Sequence, residues 1–186
     1  GGTQVPQRVL DAMQDYLANH NANGGAAFAT SEETDATMAA ARVAGADLLG
    51  CDADEISYGA NMTTLAYLLS DAVARDIKPG DEIVITELDH EANRGPWLHL
   101  AERGIVVKEV KLLPTGRLDY ADMAAKITPK TRLVAIGFSS NALGTINDIA
   151  EARRLSKAVG AWLLVDAVHY APHFPLDVAA LDVDFL

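Results

Sequence analysis

Asp166 and His169 are the two residues whose types and spacing most directly suggest chemistry. They lie in the stretch LLVDAVHYAPH, residues 163–173, where an apolar run ends at an aspartate and a histidine follows three residues later. A carboxylate at the end of a buried strand needs a cationic or hydrogen-bonding partner to stay ionised. A protonated pyridine nitrogen is one such partner, and His169 could act beside it as a base or as a hydrogen-bonding group.

Two other interpretations of this stretch stay open. Asp166 and His169 could form a satisfied structural pair that takes no part in catalysis. The other is a zinc site built from Asp166, His169 and His173, although their spacing matches no zinc signature.

Polar residues also follow apolar runs in three further stretches. They are GANMTT (residues 59–64), ELDHEAN (87–93) and SSNALGT (139–145). In the first, backbone N–H groups and the hydroxyls of Thr63 and Thr64 could bind a phosphate, but Asn61 or Thr63 could equally be a simple helix cap. In the other two, His90 and Asn141 could project into a cleft, although a surface histidine and a turn asparagine are the ordinary explanations.

The elements that must position these residues alternate between strands and helices. The pattern predicts strands in residues 56–60, 78–88, 105–112, 131–140 and 161–168, and helices in residues 63–77, 91–104, 119–127 and 148–160. Such alternation is typical of βαβ crossovers, so we predict a three-layer α/β/α fold with a mostly parallel mixed sheet. Ligands bind beyond the carboxyl ends of the strands in such sheets, which is where the polar stretches lie.

Residues 1–55 form a separate helical segment in this prediction. Pro6 suits the first turn of one helix. A second helix is predicted to start with Ser31 as its N-cap and to end at Gly50.

Composition limits the classes of function. The net charge is −11, with 15 basic and 26 acidic residues, so a nucleic-acid partner is not expected. Cys51 is the only cysteine, and no apolar run approaches the roughly 20 residues that span a membrane, so we expect a cytoplasmic protein without a membrane partner. The glycine fingerprint of nucleotide-dependent oxidoreductases is absent, which disfavours that class.

In their order and spacing, the four polar stretches resemble the large domain of class V aminotransferase-type enzymes. These are fold-type I pyridoxal-phosphate enzymes that include the cysteine desulfurases, and the resemblance covers nearly the whole chain. NMTT resembles the family's phosphate-binding turn, which implies that Asn61, Met62 and Thr63 bind the cofactor. LDHEANRGPW resembles the segment whose histidine stacks on the pyridine ring, which implies that role for His90.

The resemblance assigns the two remaining stretches as well. SSNALGT resembles a Ser-Asn-x-x-Gly segment, which implies that Asn141 lies near the cofactor's ring oxygen and the substrate carboxylate. VDAVH resembles the family's Val-Asp-x-x-Gln/His, which implies that Asp166 holds the pyridinium nitrogen so that the ring withdraws electrons. His169 stands where typical desulfurases have glutamine, as in kynureninases and isopenicillin-epimerase-like members. The implied catalytic set is His90, Asp166 and His169, with no metal.

The family's Schiff-base lysine follows a strand that resembles DVDFL, residues 182–186, whereas this sequence has no lysine after Lys157. We therefore interpret residues 56–186 as a partial cofactor-binding large domain, preceded by the helical segment and lacking the small C-terminal domain. Covalent attachment of pyridoxal 5'-phosphate at the usual lysine is not available to these residues. We expect the chain alone to be inactive.

The resemblance implies a parent enzyme that acts at the α-carbon of an amino acid. Desulfurase or lyase chemistry comes first, followed by aminotransferase or epimerase chemistry, and we expect a homodimer. The alternative is a non-catalytic α/β module that binds a phosphorylated ligand or self-associates.

Overall fold

The computed structural model describes residues 3–186, which divide into two units, one ending at Ser57 and the other spanning Tyr58–Leu186. The first unit is helical. Its elements are α1 (Gln7–Asp15), a π-helical turn (Tyr16–His20), α2 (Ala29–Leu49) and a 3₁₀ turn (Ala53–Glu55).

Helix α2 ends as predicted but starts earlier. Gly50 caps its carboxyl end in the left-handed conformation, with φ of 72°. The prediction that Ser31 is the N-cap is wrong, because the helix begins at Ala29 after the extended residue Phe28. The buried Ser31 hydroxyl instead accepts the N–H of Ala26 at 2.9 Å, so it fastens the preceding loop to the helix.

A sheet of four parallel strands forms the centre of the second unit. The strands are β1 (Glu82–Thr86), β2 (Val106–Val110), β3 (Thr131–Gly137) and β4 (Trp162–Asp166), in the order β2-β1-β3-β4. The predicted α/β fold is confirmed, and all three neighbouring pairs among these strands are parallel. The strand order reverses between β1 and β3, which is the switch point where open α/β sheets bind ligands.

Both faces of the sheet are buried, because successive strand residues enter different hydrophobic cores. In β3, for example, Val134 belongs to one core and Leu133 to the other. The helices of the second unit are α3 (Met62–Val73), α4 (Gly95–His99), α5 (Tyr120–Lys126), α6 (Ile149–Lys157) and α7 (Val178–Leu181). Helices α5 and α6 cover one face, while α3 and α4 cover the other, which gives the three predicted layers. Within residues 3–186, no helix has the length and apolar character needed to cross a bilayer.

The strand predicted for residues 56–60 is absent from the described structure. Tyr58 is 54% exposed, and the chain turns toward α3. A Cβ atom on Gly59 would lie 2.6 Å from Leu65 Cδ2, so the backbone of this segment packs against α3 and not against a strand.

The helix predicted for residues 91–104 is broken into three short pieces. They are a 3₁₀ turn (Glu91–Asn93), α4 and a second 3₁₀ turn (Leu100–Arg103). Pro96 stands in the first turn of α4, where its missing N–H is tolerated, but it prevents a continuous helix from the preceding residues. Trp97 and Leu100 still enter the core completely.

Candidate functional site

A cleft opens at the carboxyl ends of β1, β3 and β4. It is lined by Leu88, Asp89, His90, Gly137, Ser139, Ser140, Asn141, Asn147, Asp166 and His169. Its cavity volume is about 10 Å³, about the space of one water molecule, and the cleft is open to solvent. Four of the predicted site residues belong to this lining: His90, Asn141, Asp166 and His169. They come from three separate loops, which the parallel sheet brings to the same edge.

Asp166 is the last residue of β4 and is half-buried. Its Oδ1 accepts the N–H of Val168 at 3.0 Å, which fixes the carboxylate at the edge of the cleft. Within the described residues Oδ2 makes no hydrogen bond, so it is available to accept one from a ligand. His169 lines the same cleft but is exposed, and residues 3–186 show no hydrogen bond between its ring and Asp166.

His90 is the N-cap of the 3₁₀ turn that follows β1, and its side chain makes the capping hydrogen bond. The ring Nδ1 accepts the N–H of Ala92 at 3.1 Å. An imidazole nitrogen that accepts carries no proton, so the neutral ring is protonated on Nε2. The turn therefore fixes both the orientation of the ring and its tautomer.

Asp89 is a cleft residue that sequence reasoning missed. Its Oδ2 accepts the Thr86 hydroxyl at 2.8 Å, and its Oδ1 accepts the N–H of Gly137. Burial, with a contribution from the negative charge of Asp166, raises the pKa of Asp89 to about 7. The available signal was an aspartate directly before His90 at a strand end, which alone is ordinary turn chemistry.

The loop after β3 brings Asn141 to the cleft. The buried Ser140 hydroxyl accepts the N–H groups of Ala142 at 3.2 Å and Leu143 at 3.1 Å, so the backbone folds around it and leaves Asn141 exposed. Asn147 is buried and donates its amide to the Gly137 carbonyl at 2.7 Å. This second contact holds the loop against the end of β3.

Ser139 is another lining residue that the sequence did not identify. Its Oγ is buried and has no hydrogen-bond partner within the described part of the chain. A buried hydroxyl without a partner is costly, so this atom is suited to a ligand's polar group or to water.

The turn at residues 61–64 lies outside the lining of the cleft. Asn61 caps α3, with its Oδ1 accepting the N–H of Thr64 at 2.9 Å. The first N–H groups of a helix have no acceptor within it, so those of Met62 and Thr63 are available to an anion. Helix α3 packs against the Glu91–Asn93 turn, which directly follows His90.

No group of three or more His, Cys, Asp or Glu side chains within residues 3–186 is arranged to hold a metal ion. His173, the third member of the zinc alternative, is exposed and does not line the cleft. The zinc interpretation therefore gains no support from the structure.

Comparison with known proteins places the chain in a family. The family model described as aminotransferase class-V matches residues 1–186. The chain is 39% identical to “Aminotransferase-like protein FGM3” of Gibberella zeae, over 100% of this chain and 48% of that protein. It is 33% identical to “Probable cysteine desulfurase” of Methanothermobacter thermautotrophicus, over 98% of this chain and 46% of that protein.

Solved structures share the fold. The apo cysteine desulfurase from Thermococcus onnurineus NA1 has a TM-score of 0.89 at 29% identity, covering 98% of this chain and 47% of that one. The cysteine desulfurase CsdA from Escherichia coli has a TM-score of 0.84 at 30% identity, covering 97% and 46%. The chain thus spans about half the length of the relatives that it matches. Because the family model matches it from end to end, this chain belongs to the aminotransferase class-V family.

Proposed function

We propose that these residues form the cofactor-binding part of a pyridoxal-phosphate-dependent enzyme that acts at the α-carbon of an amino acid, with cysteine desulfurase or lyase chemistry first. Membership of the aminotransferase class-V family and the curated relatives named as cysteine desulfurases support this proposal. The observation that carries it is that His90 and Asp166, from the ends of different strands, line one cleft at the switch point of the sheet.

The donor set of the cleft fits pyridoxal 5'-phosphate. Within residues 3–186, one carboxylate oxygen of Asp166 makes no hydrogen bond and the Ser139 hydroxyl has no partner. The free carboxylate oxygen suits a protonated ring nitrogen. Asn141 would lie near the ring oxygen of the cofactor and near the substrate carboxylate. When bound, the cofactor supplies an electron-withdrawing ring that stabilises negative charge at the substrate α-carbon.

The chain's own residues then have distinct tasks. Asp166 would keep a proton on the cofactor's ring nitrogen, because a carboxylate favours a cationic partner. His90, whose ring is held by the Ala92 N–H, would stack on the cofactor ring. Asn61, Met62 and Thr63 would hold the phosphate at the amino end of α3, where backbone N–H groups and the helix dipole favour an anion.

His169, which lines the same cleft as Asp166, would act there as a base or as a hydrogen-bonding group. We also propose that the whole protein is a cytoplasmic homodimer.

That residues 1–186 by themselves do not turn over substrate stays a prediction. Borohydride reduction with added cofactor, followed by mass spectrometry, tests it, and a stable adduct on one internal lysine would contradict it.

Titration of the chain with pyridoxal 5'-phosphate tests the proposal. We expect His90→Ala and Asp166→Ala each to weaken binding by about tenfold or more, which corresponds to about 1.4 kcal/mol. His173→Ala and Asp47→Asn are matched controls, because both residues are exposed and lie outside the cleft lining. Wild-type affinity in the two cleft variants, or no binding by the wild type, would contradict the proposal.

Size-exclusion chromatography in the same experiments separates the alternative, a self-associating module. The first unit exposes large apolar side chains on α1, including Leu10 at 44% and Met13 at 56%. Oligomers that neither the cofactor nor the cleft substitutions change, together with no cofactor binding, would favour that module.

A further inference from the structure

Asp89 joins the loop after β1 to the end of β3, and the proposed function gives it no role. Its two carboxylate oxygens are both used. One accepts the hydroxyl of Thr86, which is fully buried in β1, and the other accepts the N–H of Gly137, the last residue of β3. Asp89 therefore makes contact with both strands on either side of the switch point.

The contact depends on glycine at position 137. A Cβ atom built there would lie 2.6 Å from Oδ1 of Asp89, closer than real Cβ contacts allow. Gly137 does not have a positive φ, so its backbone conformation does not require glycine. Its lack of a side chain instead leaves the space that the Asp89 carboxylate fills.

His90 is the next residue along the chain, and its ring position depends on this backbone. On one side the loop is held by the Asp89 contacts, and on the other the His90 Nδ1 accepts the Ala92 N–H. Movement of Asp89 away from Gly137 would therefore move the backbone that carries the ring.

We propose that Asp89 is a positioning residue, which holds the His90 loop against β3 so that the His90 ring and the Asp166 carboxylate face the same cleft. The contact itself is a property of the folded chain, whereas its value for cofactor binding rests on the proposed function. Asp89 touches neither substrate nor cofactor in this role.

The electrostatic surroundings of Asp89 support a role for geometry more than for charge. It faces the Thr86 hydroxyl from β1, the Gly137 N–H from β3, the Asn93 amide from the following turn and the Asp166 carboxylate from β4. Burial and Asp166 raise its pKa to about 7, so the side chain is partly neutral at physiological pH. A neutral Asp89 also avoids repulsion with Asp166 across the cleft.

Asp89→Ala and Asp89→Asn separate geometry from charge. Asparagine keeps an Oδ1 that can accept the Gly137 N–H, whereas alanine removes it. Two readouts are needed: the ¹⁵N signals of the His90 ring and the hydrogen exchange of the Gly137 amide without cofactor, and the affinity for pyridoxal 5'-phosphate.

We expect Asp89→Ala to shift the His90 ring signals, to speed Gly137 exchange by about tenfold and to weaken cofactor binding by about fivefold, as the loss of one part-buried hydrogen bond would do. For Asp89→Asn, the exchange rate of the Gly137 amide and the affinity for the cofactor should each stay within about twofold of the wild type. If the alanine variant fails to fold, Thr86→Val replaces it, because valine lacks the hydroxyl that donates to Asp89 Oδ2. We then expect a smaller shift of the His90 ring signals.

Unchanged His90 signals in Asp89→Ala, or in its replacement Thr86→Val, would overturn the inference, and so would equal losses in the alanine and asparagine variants. The cofactor-free readout also separates this inference from the proposed function. A His90 response in a chain that binds no cofactor would support the positioning role and contradict the proposed function. Cofactor binding that depends on Asp166 but not on Asp89 would do the reverse.

Discussion

Gly137 is the register partner of Asp166 at the ends of β3 and β4. The same glycine donates its N–H to Asp89 and accepts the amide of Asn147 with its carbonyl, at 2.7 Å for the latter. One small residue thus joins the strand that ends in Asp166, the loop that carries His90 and the loop that carries Asn141. The geometry of the cleft is therefore sensitive to any side chain placed there.

Gly137→Ala should destabilise the fold, because the new Cβ would meet Oδ1 of Asp89 at 2.6 Å. We expect a loss of about 1–3 kcal/mol in the free energy of unfolding, typical of overpacking, measured by urea denaturation. The control is the same substitution in an Asp89→Ala background, where the opposing atom is gone and the loss should be smaller. Equal losses in the two backgrounds would show that the two residues do not press on each other.

Asp89→Asn should change the pH dependence of stability. The pKa of Asp89 in the folded chain, about 7, lies above the ordinary carboxyl value of about 3.9. Between these values the folded state holds a proton that the unfolded state has released, so this group lowers stability as pH rises.

The stability of Asp89→Asn relative to the wild type should therefore increase from about pH 4 to pH 7 and level off above it, with each pKa unit worth at most about 1.4 kcal/mol. Urea denaturation of both chains at several pH values in this range measures the difference. A difference that does not vary with pH would mean that Asp89 is ionised at its ordinary pKa in the folded chain.

Asn61→Ala should remove the cap of α3 and cost about 1 kcal/mol in the free energy of unfolding. Asn61→Ser is the matched control, because a serine oxygen can still accept the N–H of Thr64, as Asn61 does at 2.9 Å. Thermal or urea denaturation compares the two. A serine variant as unstable as the alanine variant would argue against capping as the main role of this side chain.

Tyr170→Ala should loosen the loop that carries His169. The Tyr170 ring stacks on the buried Phe138, with ring centroids 3.6 Å apart and an interplanar angle of 3°. Because Tyr170 is only half-buried, we expect a cost of about 2 kcal/mol, below the range for fully buried aromatic residues. Tyr170→Phe keeps the ring and should change stability by less than about 0.5 kcal/mol. Equal losses in the two variants would assign the effect to the hydroxyl and not to stacking.

The sequence predicts the strands that build the cleft because their signal is local. The apolar runs before Asp166 and before residues 87–93 are continuous, and parallel strands bring their carboxyl ends to one edge. The sequence alone therefore predicts that edge for the four residues that line the cleft there, His90, Asn141, Asp166 and His169.

What the sequence does not predict depends on contacts that no local pattern shows. The Asp89 carboxylate reaches the backbone of β3 because Gly137, 48 residues later, has no side chain in that space. Residues 56–60 have the composition of a short strand, but the packing of Gly59 on Leu65 decides their conformation. Ser31 has the side chain of an N-cap residue, yet its hydroxyl accepts the N–H of Ala26 in the loop before α2. In each case the deciding neighbour is not part of the local pattern.

The protonation state of the ring nitrogen in bound, ¹⁵N-labelled pyridoxal 5'-phosphate tests the central claim most directly. ¹⁵N NMR at about pH 7.5 should show a protonated nitrogen with the wild-type chain, because the Asp166 carboxylate favours the cationic ring. Asp166→Asn, which keeps an oxygen for the Val168 N–H but carries no charge, should bind a neutral ring. The same protonation state with both chains, or no binding to the wild type, would contradict the account.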